Sequence, residues 1–84
     1  SFLRYLDIND TNITKLDFVL ELNSLEELEI SDCNISDVTE LEKLLQVDSL
    51  EEIDLGDNPL DYSSSEYKTI EQKLEDNGVE VNRY

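Results

Sequence analysis

The stretch Leu25-Glu26-Glu27-Leu28-Glu29-Ile30-Ser31-Asp32-Cys33-Asn34-Ile35 decides the fold. Its aliphatic residues stand at the first, fourth, sixth and eleventh places, with a cysteine at the ninth. A single stretch of this kind carries little weight, because eleven residues with four aliphatics arise by chance. Here the spacing recurs. Leu3, Leu6, Ile8 and Ile13 repeat it upstream with Thr11 in the ninth place, and Leu50, Ile53, Leu55 and Leu60 repeat it downstream with Asn58 there. The openings Leu3, Leu25 and Leu50 lie 22 and then 25 residues apart.

Three copies at that period resemble leucine-rich repeats, whose pattern L-x-x-L-x-L-x-x-N/C-x-L returns every 20–29 residues or so. The short Asn-Ile-Ser/Thr bends are similar to those of internalin-like members. The resemblance implies a right-handed α/β solenoid, with a parallel β-sheet on the concave side and short helices or turns on the convex side. It also implies protein binding as a class of function. Expected are one domain over residues 1–84, repeats from about 3, 25 and 50, and a closing helix and edge strand over about 63–84.

Bulk composition narrows the alternatives. A chain of 84 residues buries only about 60–65% of its unfolded surface. One cysteine and no histidine leave no disulfide framework and no transition-metal cluster. The formal charge of −16 argues against nucleic acid and anionic membrane as partners, since both need a basic face. Low apolar content with high charge would suit disorder, but the apolar residues are periodic, which argues for a fold. Nothing in the sequence assigns a compartment.

Taken in order, Tyr5-Leu6-Asp7-Ile8 alternates as a half-buried strand, with Leu6 and Ile8 inward. No capping element precedes it, and an uncapped repeat exposes a core face and a strand edge. The chain is therefore expected to be a piece of a longer one, with self-association possible through the N-terminal edge. Ile13 and Leu16 belong inside, and Val19, Leu20 and Leu22 suggest a short apolar turn. Thr39 to Glu42 reads as a capping box before about two turns of helix carrying Leu41, Leu44 and Leu45. Ser63 to Glu66 reads as another, opening a helix with Tyr67, Ile70 and Leu74 on one face; Asn77-Gly78 ends it. Val79 and Val81 are then expected opposite Ile53 and Leu55 in a fourth strand.

The chemistry on offer is sparse. Cys33 sits where the repeat turns a side chain inward to satisfy the bend, and no neighbouring cation activates it; it is expected buried and inert. Asn9, Asn12 and Asn34 each open a glycosylation sequon, but the same letters serve the bend, and the turn reading is preferred. No nucleophile accompanies a base, so an enzyme is not expected, nor a cofactor. No EF-hand pattern gathers the aspartates, so no metal site is assigned.

The informative feature is where the acids fall. Fifteen positions lie between or just after the inward aliphatics: Arg4, Tyr5, Asp7, Asn9, Asp10; Glu26, Glu27, Glu29, Ser31, Asp32; and Glu51, Glu52, Asp54, Gly56, Asp57. Ten of the 15 are acidic, against 12 of the other 69, so the concave face is enriched beyond the chain as a whole. Adjacent parallel strands lie about 4.8 Å apart. Asp7, Glu29 and Asp54 should therefore stack, each pair costing roughly 0.7 kcal/mol at about 6 Å in water. A basic ligand or bound cations would relieve that cost. The expected partner is a basic protein or peptide on Asp7, Asp10, Glu26, Glu27, Glu29, Asp32, Glu51, Glu52, Asp54 and Asp57, centred on Glu29, Asp32, Asp54 and Asp57. Arg4 and Arg83 are the bases expected nearest that patch, while Glu40 and Glu71 are expected on the convex side, away from it. The alternative is a structural role, as the C-terminal closing portion of a longer receptor, adhesin or enzyme. A polar ligand such as a glycan ranks last, because Tyr5 is the one aromatic among the fifteen.

Overall fold

The computed structural model describes residues 2–83; Ser1 and Tyr84, the outermost residues of the expected domain, lie outside them. Four strands, β1 (Tyr5–Asp7), β2 (Glu27–Glu29), β3 (Glu52–Asp54) and β4 (Glu80–Asn82), form one parallel sheet in the order of the chain. Leu6, Leu28, Ile53 and Val81 are register partners and point into the core. The interior pair, Leu28 and Ile53, is fully buried, whereas Leu6 and Val81 on the edge strands are half-buried. The repeat leucines behave the same way: Leu25, Ile30, Ile35, Leu50, Leu55 and Leu60 are buried, but Leu3 is 40% exposed. Among the described residues the first repeat is covered on one side, by the second.

The convex side follows a period of three. Leu16, Val19, Leu22 and Leu25 are linked by successive backbone bonds from each N–H to the carbonyl three residues earlier, at 3.1–3.2 Å. Leu44, Val47 and Leu50 continue the same way at 3.1–3.2 Å. Such bonds define 3₁₀ geometry, in which side chains three apart eclipse on one face. Asp17–Glu21 is therefore a 3₁₀ helix where a short apolar turn was expected. Val38–Gln46 is a second one, nine residues long, where about two turns of helix were expected. Its buried Leu41 and Leu44 are three apart and face the core, while Leu45 is half-buried.

Its cap also differs from the sequence reading. Asp37, not Thr39, caps it: Asp37 Oδ1 accepts the Thr39 N–H at 3.0 Å and the Thr39 hydroxyl at 2.7 Å. A carboxylate is the stronger acceptor at the positive end of a helix, so it takes the hydroxyl that the box would have used. The two 3₁₀ helices are tied together by Glu40, whose Oε1 accepts the Leu16 N–H at 2.8 Å and Lys43 Nζ at 2.7 Å, while Lys43 also meets Asp17.

The last convex element, α1 (Ser65–Asp76), buries Tyr67, Ile70 and Leu74 as its spacing requires. Ser64 is the cap, accepting the Tyr67 N–H at 3.1 Å; Ser63 is instead held by Asp61. The far end closes as expected. Gly78 adopts φ 85°, its N–H reaches Glu75 O at 2.9 Å, and the Val79 N–H reaches Leu74 O at 2.9 Å. This is the paired C-terminal motif of helices, with Leu74 and Val79 as its apolar contact. That contact corrects the register of β4. Val79 is taken by the helix end, so Val81, not Val79, stands opposite Ile53.

Candidate functional site: the acidic sheet face

Two outward columns cross the sheet. Tyr5, Glu27, Glu52 and Glu80 are register partners in one, and Asp7, Glu29, Asp54 and Asn82 in the next. The stacking of Asp7, Glu29 and Asp54 is as expected; Glu80 and Asn82 extend the face and were not foreseen. Their signal was the alternation of Val79, Glu80, Val81 and Asn82, which turns Glu80 and Asn82 outward in either register, but the fifteen expected positions stopped at the third repeat. Glu27, Glu29, Glu52, Asp54 and Asn82 wall a hollow of about 140 Å³ floored by Leu28, with no basic residue in its lining.

Half of the ten predicted acids answer to the backbone. Asp7 Oδ1 accepts the Asn9 N–H at 3.0 Å, and Asp54 Oδ1 accepts the Gly56 N–H at 3.0 Å, the same turn in two repeats. Asp10, Asp32 and Asp57 have φ of 63°, 57° and 56°, the left-handed region in which aspartate and asparagine are the favoured non-glycine residues. Their acidity follows from turn chemistry. Glu26, Glu27, Glu29, Glu51 and Glu52 carry no such obligation.

The glutamates are not uniformly free. Glu29 accepts the Tyr5 hydroxyl and, at 3.1 Å, Asn9 Nδ2. That bond, with the charges of Glu29, Asp7 and Glu27, raises the Tyr5 phenol to about 12. Glu26 meets Arg4 Nε at 3.6 Å at the margin. Asn82 Nδ2 lies 3.2 Å from both Glu52 and Glu80. Partial desolvation, then Glu80, Glu27, Glu29 and Asp54, hold the Glu52 carboxyl above its ordinary range. Asp32 is raised too, by a hydrogen bond with the Asp10 carboxyl and by its charge.

Three other expectations resolve differently. Arg83 turns away from the patch: its guanidinium lies 5.5 Å from the Tyr62 ring centre and 5.7 Å from that of Tyr67, with Nε 3.7 Å from Glu71. Gly56 is buried and adds nothing to the open face. Cys33 is half-buried rather than buried, though its role is the expected one: Sγ donates to Ile8 O at 3.3 Å and Ser31 O at 3.6 Å, and touches Thr11 Oγ1 at 3.3 Å.

Asn58 does the same work more fully. Nδ2 reaches Ile30 O at 2.8 Å and Leu55 O and Gly56 O at 3.2 Å, while Oδ1 accepts the Ile35 N–H at 3.2 Å. The sequon asparagines divide. Asn9 is spent on the turn, its Oδ1 accepting the Ser31 N–H at 2.8 Å, whereas Asn12 and Asn34 are exposed where the third repeat has Pro59. Asn9 and the ninth-place side chains thus tie the bends of successive repeats together. Among the described residues no three or more His, Cys, Asp and Glu are placed to hold a metal ion. No helix there is long and apolar enough to cross a membrane.

A parallel sheet registered on one aliphatic per repeat, with a polar ladder at the bend, defines a repeat solenoid. The family model of leucine-rich repeats (two copies) matches residues 1–43, just over half of the chain, and the chain belongs to that family. Members generally mediate protein–protein interaction and are typically not enzymes. No individual curated protein matches the chain.

Proposed function

We propose that this leucine-rich repeat domain binds a basic segment of a partner protein across its acidic sheet face. Glu27, Glu29 and Glu52, joined by Glu80, form the centre; Glu26, Glu51, Asp7, Asp10, Asp32, Asp54 and Asp57 surround it. The observation that carries the reading is the hollow walled by Glu27, Glu29, Glu52 and Asp54 with no basic side chain in its wall. A hollow of about 140 Å³ suits one lysine or arginine head group, which would relieve the repulsion between the glutamate columns. Such a field raises the association rate more than the final affinity, and salt screens it.

The test is paired charge reversal with decalysine as probe. Glu27→Lys with Glu52→Lys should weaken binding about tenfold or more, roughly 1.4 kcal/mol. Glu42→Lys with Glu75→Lys, exposed on the convex side, should not. Equal losses from both pairs would make bulk charge the explanation and refute the concave site. Glu40 and Glu71 cannot serve as controls, because both hold the fold.

A second reading concerns the C-terminal unit, and a specific cluster favours it. Arg83 lies over Tyr62 and Tyr67, and Tyr67 donates to Glu71 at 3.0 Å, so the residue after β4 is clasped to α1. In this reading residues 63–83 close the solenoid. Arg83→Ala should then lower Tm without changing decalysine binding; an unchanged Tm would refute the closing role.

A further inference from the structure

We propose that Asn77-Gly78 is a deamidation site that the closed end of α1 holds unreactive, and that its product cannot rebuild that end. The reaction is a one-way clock on the C-terminal unit. Nothing in it depends on what the sheet face binds. Asn77-Gly78 is the one Asn-Gly pair in the chain. Glycine leaves its nitrogen unshielded, because no side chain stands beside it. The other asparagines differ. Asn12 and Asn34 precede isoleucine, whose branched Cβ crowds the nitrogen, and Asn58 precedes Pro59, which has no N–H to lose. Asn77 and Gly78 are both exposed, and nothing lies within 4 Å of where a Cβ on Gly78 would stand, so water reaches the pair.

The chemistry needs water alone as co-reactant, and no oxidation state changes. The Gly78 nitrogen loses its proton and attacks Asn77 Cγ, forming a five-membered imide. The Cγ–Nδ2 bond breaks, and ammonia leaves with a proton returned from solvent. Water then opens the imide at either carbonyl. Attack at Cγ leaves an aspartate at position 77. Attack at the main-chain carbonyl leaves an isoaspartate, which routes the backbone through Cβ and Cγ.

The folded geometry opposes the first step. Asn77 has φ −86° and ψ 6°, which turns the Gly78 nitrogen toward the Asn77 nitrogen. Ring closure needs the Gly78 nitrogen eclipsed with Asn77 Cβ about the Cα–C bond instead. The proton that must leave is also held, since the Gly78 N–H donates to Glu75 O at 2.9 Å. Gly78 itself is fixed at φ 85°, and the buried Val79 anchors the next residue, its N–H bonded to Leu74 O at 2.9 Å. Reaction therefore waits for this end to open. Either product hinders reclosure. Aspartate adds a negative charge where the helix carbonyls already point, and isoaspartate lengthens the backbone between Leu74 and Val79 by a carbon atom. β4 follows directly, so Glu80, Val81 and Asn82 lose the fixed start of their pairing with β3.

The experiment incubates the full chain in warm, mildly alkaline buffer, native and in urea, and follows the mass gain of an amide replaced by a hydroxyl. Peptide mapping should place the gain at Asn77, with isoaspartate as well as aspartate present. Asn77→Gln, whose ring would be six-membered and slow to close, is the unreactive control. The native chain should react at least about tenfold more slowly than the unfolded one. Equal rates overturn the gate. Val79→Ala removes the apolar contact of the closing end without touching the reacting pair. It should speed the native reaction and leave the rate in urea unchanged. A Val79→Ala chain that is folded by far-UV circular dichroism and reacts no faster also overturns the gate. The product, separated by its added charge on anion exchange, should melt lower by about 4 °C or more. A product with unchanged Tm overturns the clock, and a gain mapped chiefly to another asparagine overturns the site.

Discussion

Asn58 shows what a single side chain does for this solenoid. Its amide satisfies three carbonyls and one N–H, two of the four belonging to the preceding repeat. Removing a buried amide leaves those groups unpaired, so Asn58→Leu should cost about 2–4 kcal/mol, read as a shift of the urea midpoint. Cys33 holds the same place with one weak donor, against the carbonyls of Ile8 and Ser31. Cys33→Asn should therefore be tolerated or stabilising by up to about 1 kcal/mol, and Cys33→Leu destabilising. The thiol should react with a labelling reagent more slowly than in denaturant; equal rates would remove it from the ladder. The left-handed aspartates make a related point. Asp57→Asn keeps the conformation and removes a charge, whereas Asp57→Val should cost about 1–2 kcal/mol. Sequence counting showed the excess of acids but not that Asp10, Asp32 and Asp57 answer to φ, because dihedral demand leaves no mark that distinguishes it from a binding preference.

Among the elements, those whose periodicity has one reading were the legible ones. β2 and β3, with Leu28 and Ile53 inward, follow from the repeat pattern, as does the buried face of α1. The 3₁₀ helices were written in the sequence as Leu16, Val19, Leu22, Leu25 and as Leu41, Leu44, Val47, Leu50, every third residue apolar. A helical reading anchored on Leu41, Leu44 and Leu45 passes over that period. The caps were shifted by one or two residues because Thr39 and Ser63 are good caps with better neighbours. β4 was misregistered by two because a helix end competes for Val79. Two substitutions test these local accounts by thermal or urea melting. Ser64→Ala should cost about 1 kcal/mol through the lost bond to the Tyr67 N–H. Gly78→Ala should cost about 1 kcal/mol purely through φ 85°, since nothing lies within 4 Å of an added Cβ. A neutral Gly78→Ala would mean that the closing motif does not set the helix end.

At the scale of the whole molecule, burial falls away toward the N-terminal end. Phe2 is 97% exposed, and Leu3, Tyr5 and Leu20 are the other exposed large apolar residues described. Hydrogen exchange should be fastest in β1 and slowest in β2 and β3, following the burial of Leu6, Leu28 and Ile53. Uniform protection across the four strands would contradict the gradient. Self-association through that end is expected to be opposed by the charge of −16 and promoted by salt, which sedimentation at two ionic strengths reads directly. The charge is also what makes the sheet face the part to probe for partners. The most direct measurement is a backbone amide chemical-shift map during titration with decalysine at low salt. The account predicts shifts concentrated at Glu27, Glu29, Glu52, Asp54 and Glu80, fading as salt is added. Shifts spread evenly over the convex helices, or centred on α1, would contradict it.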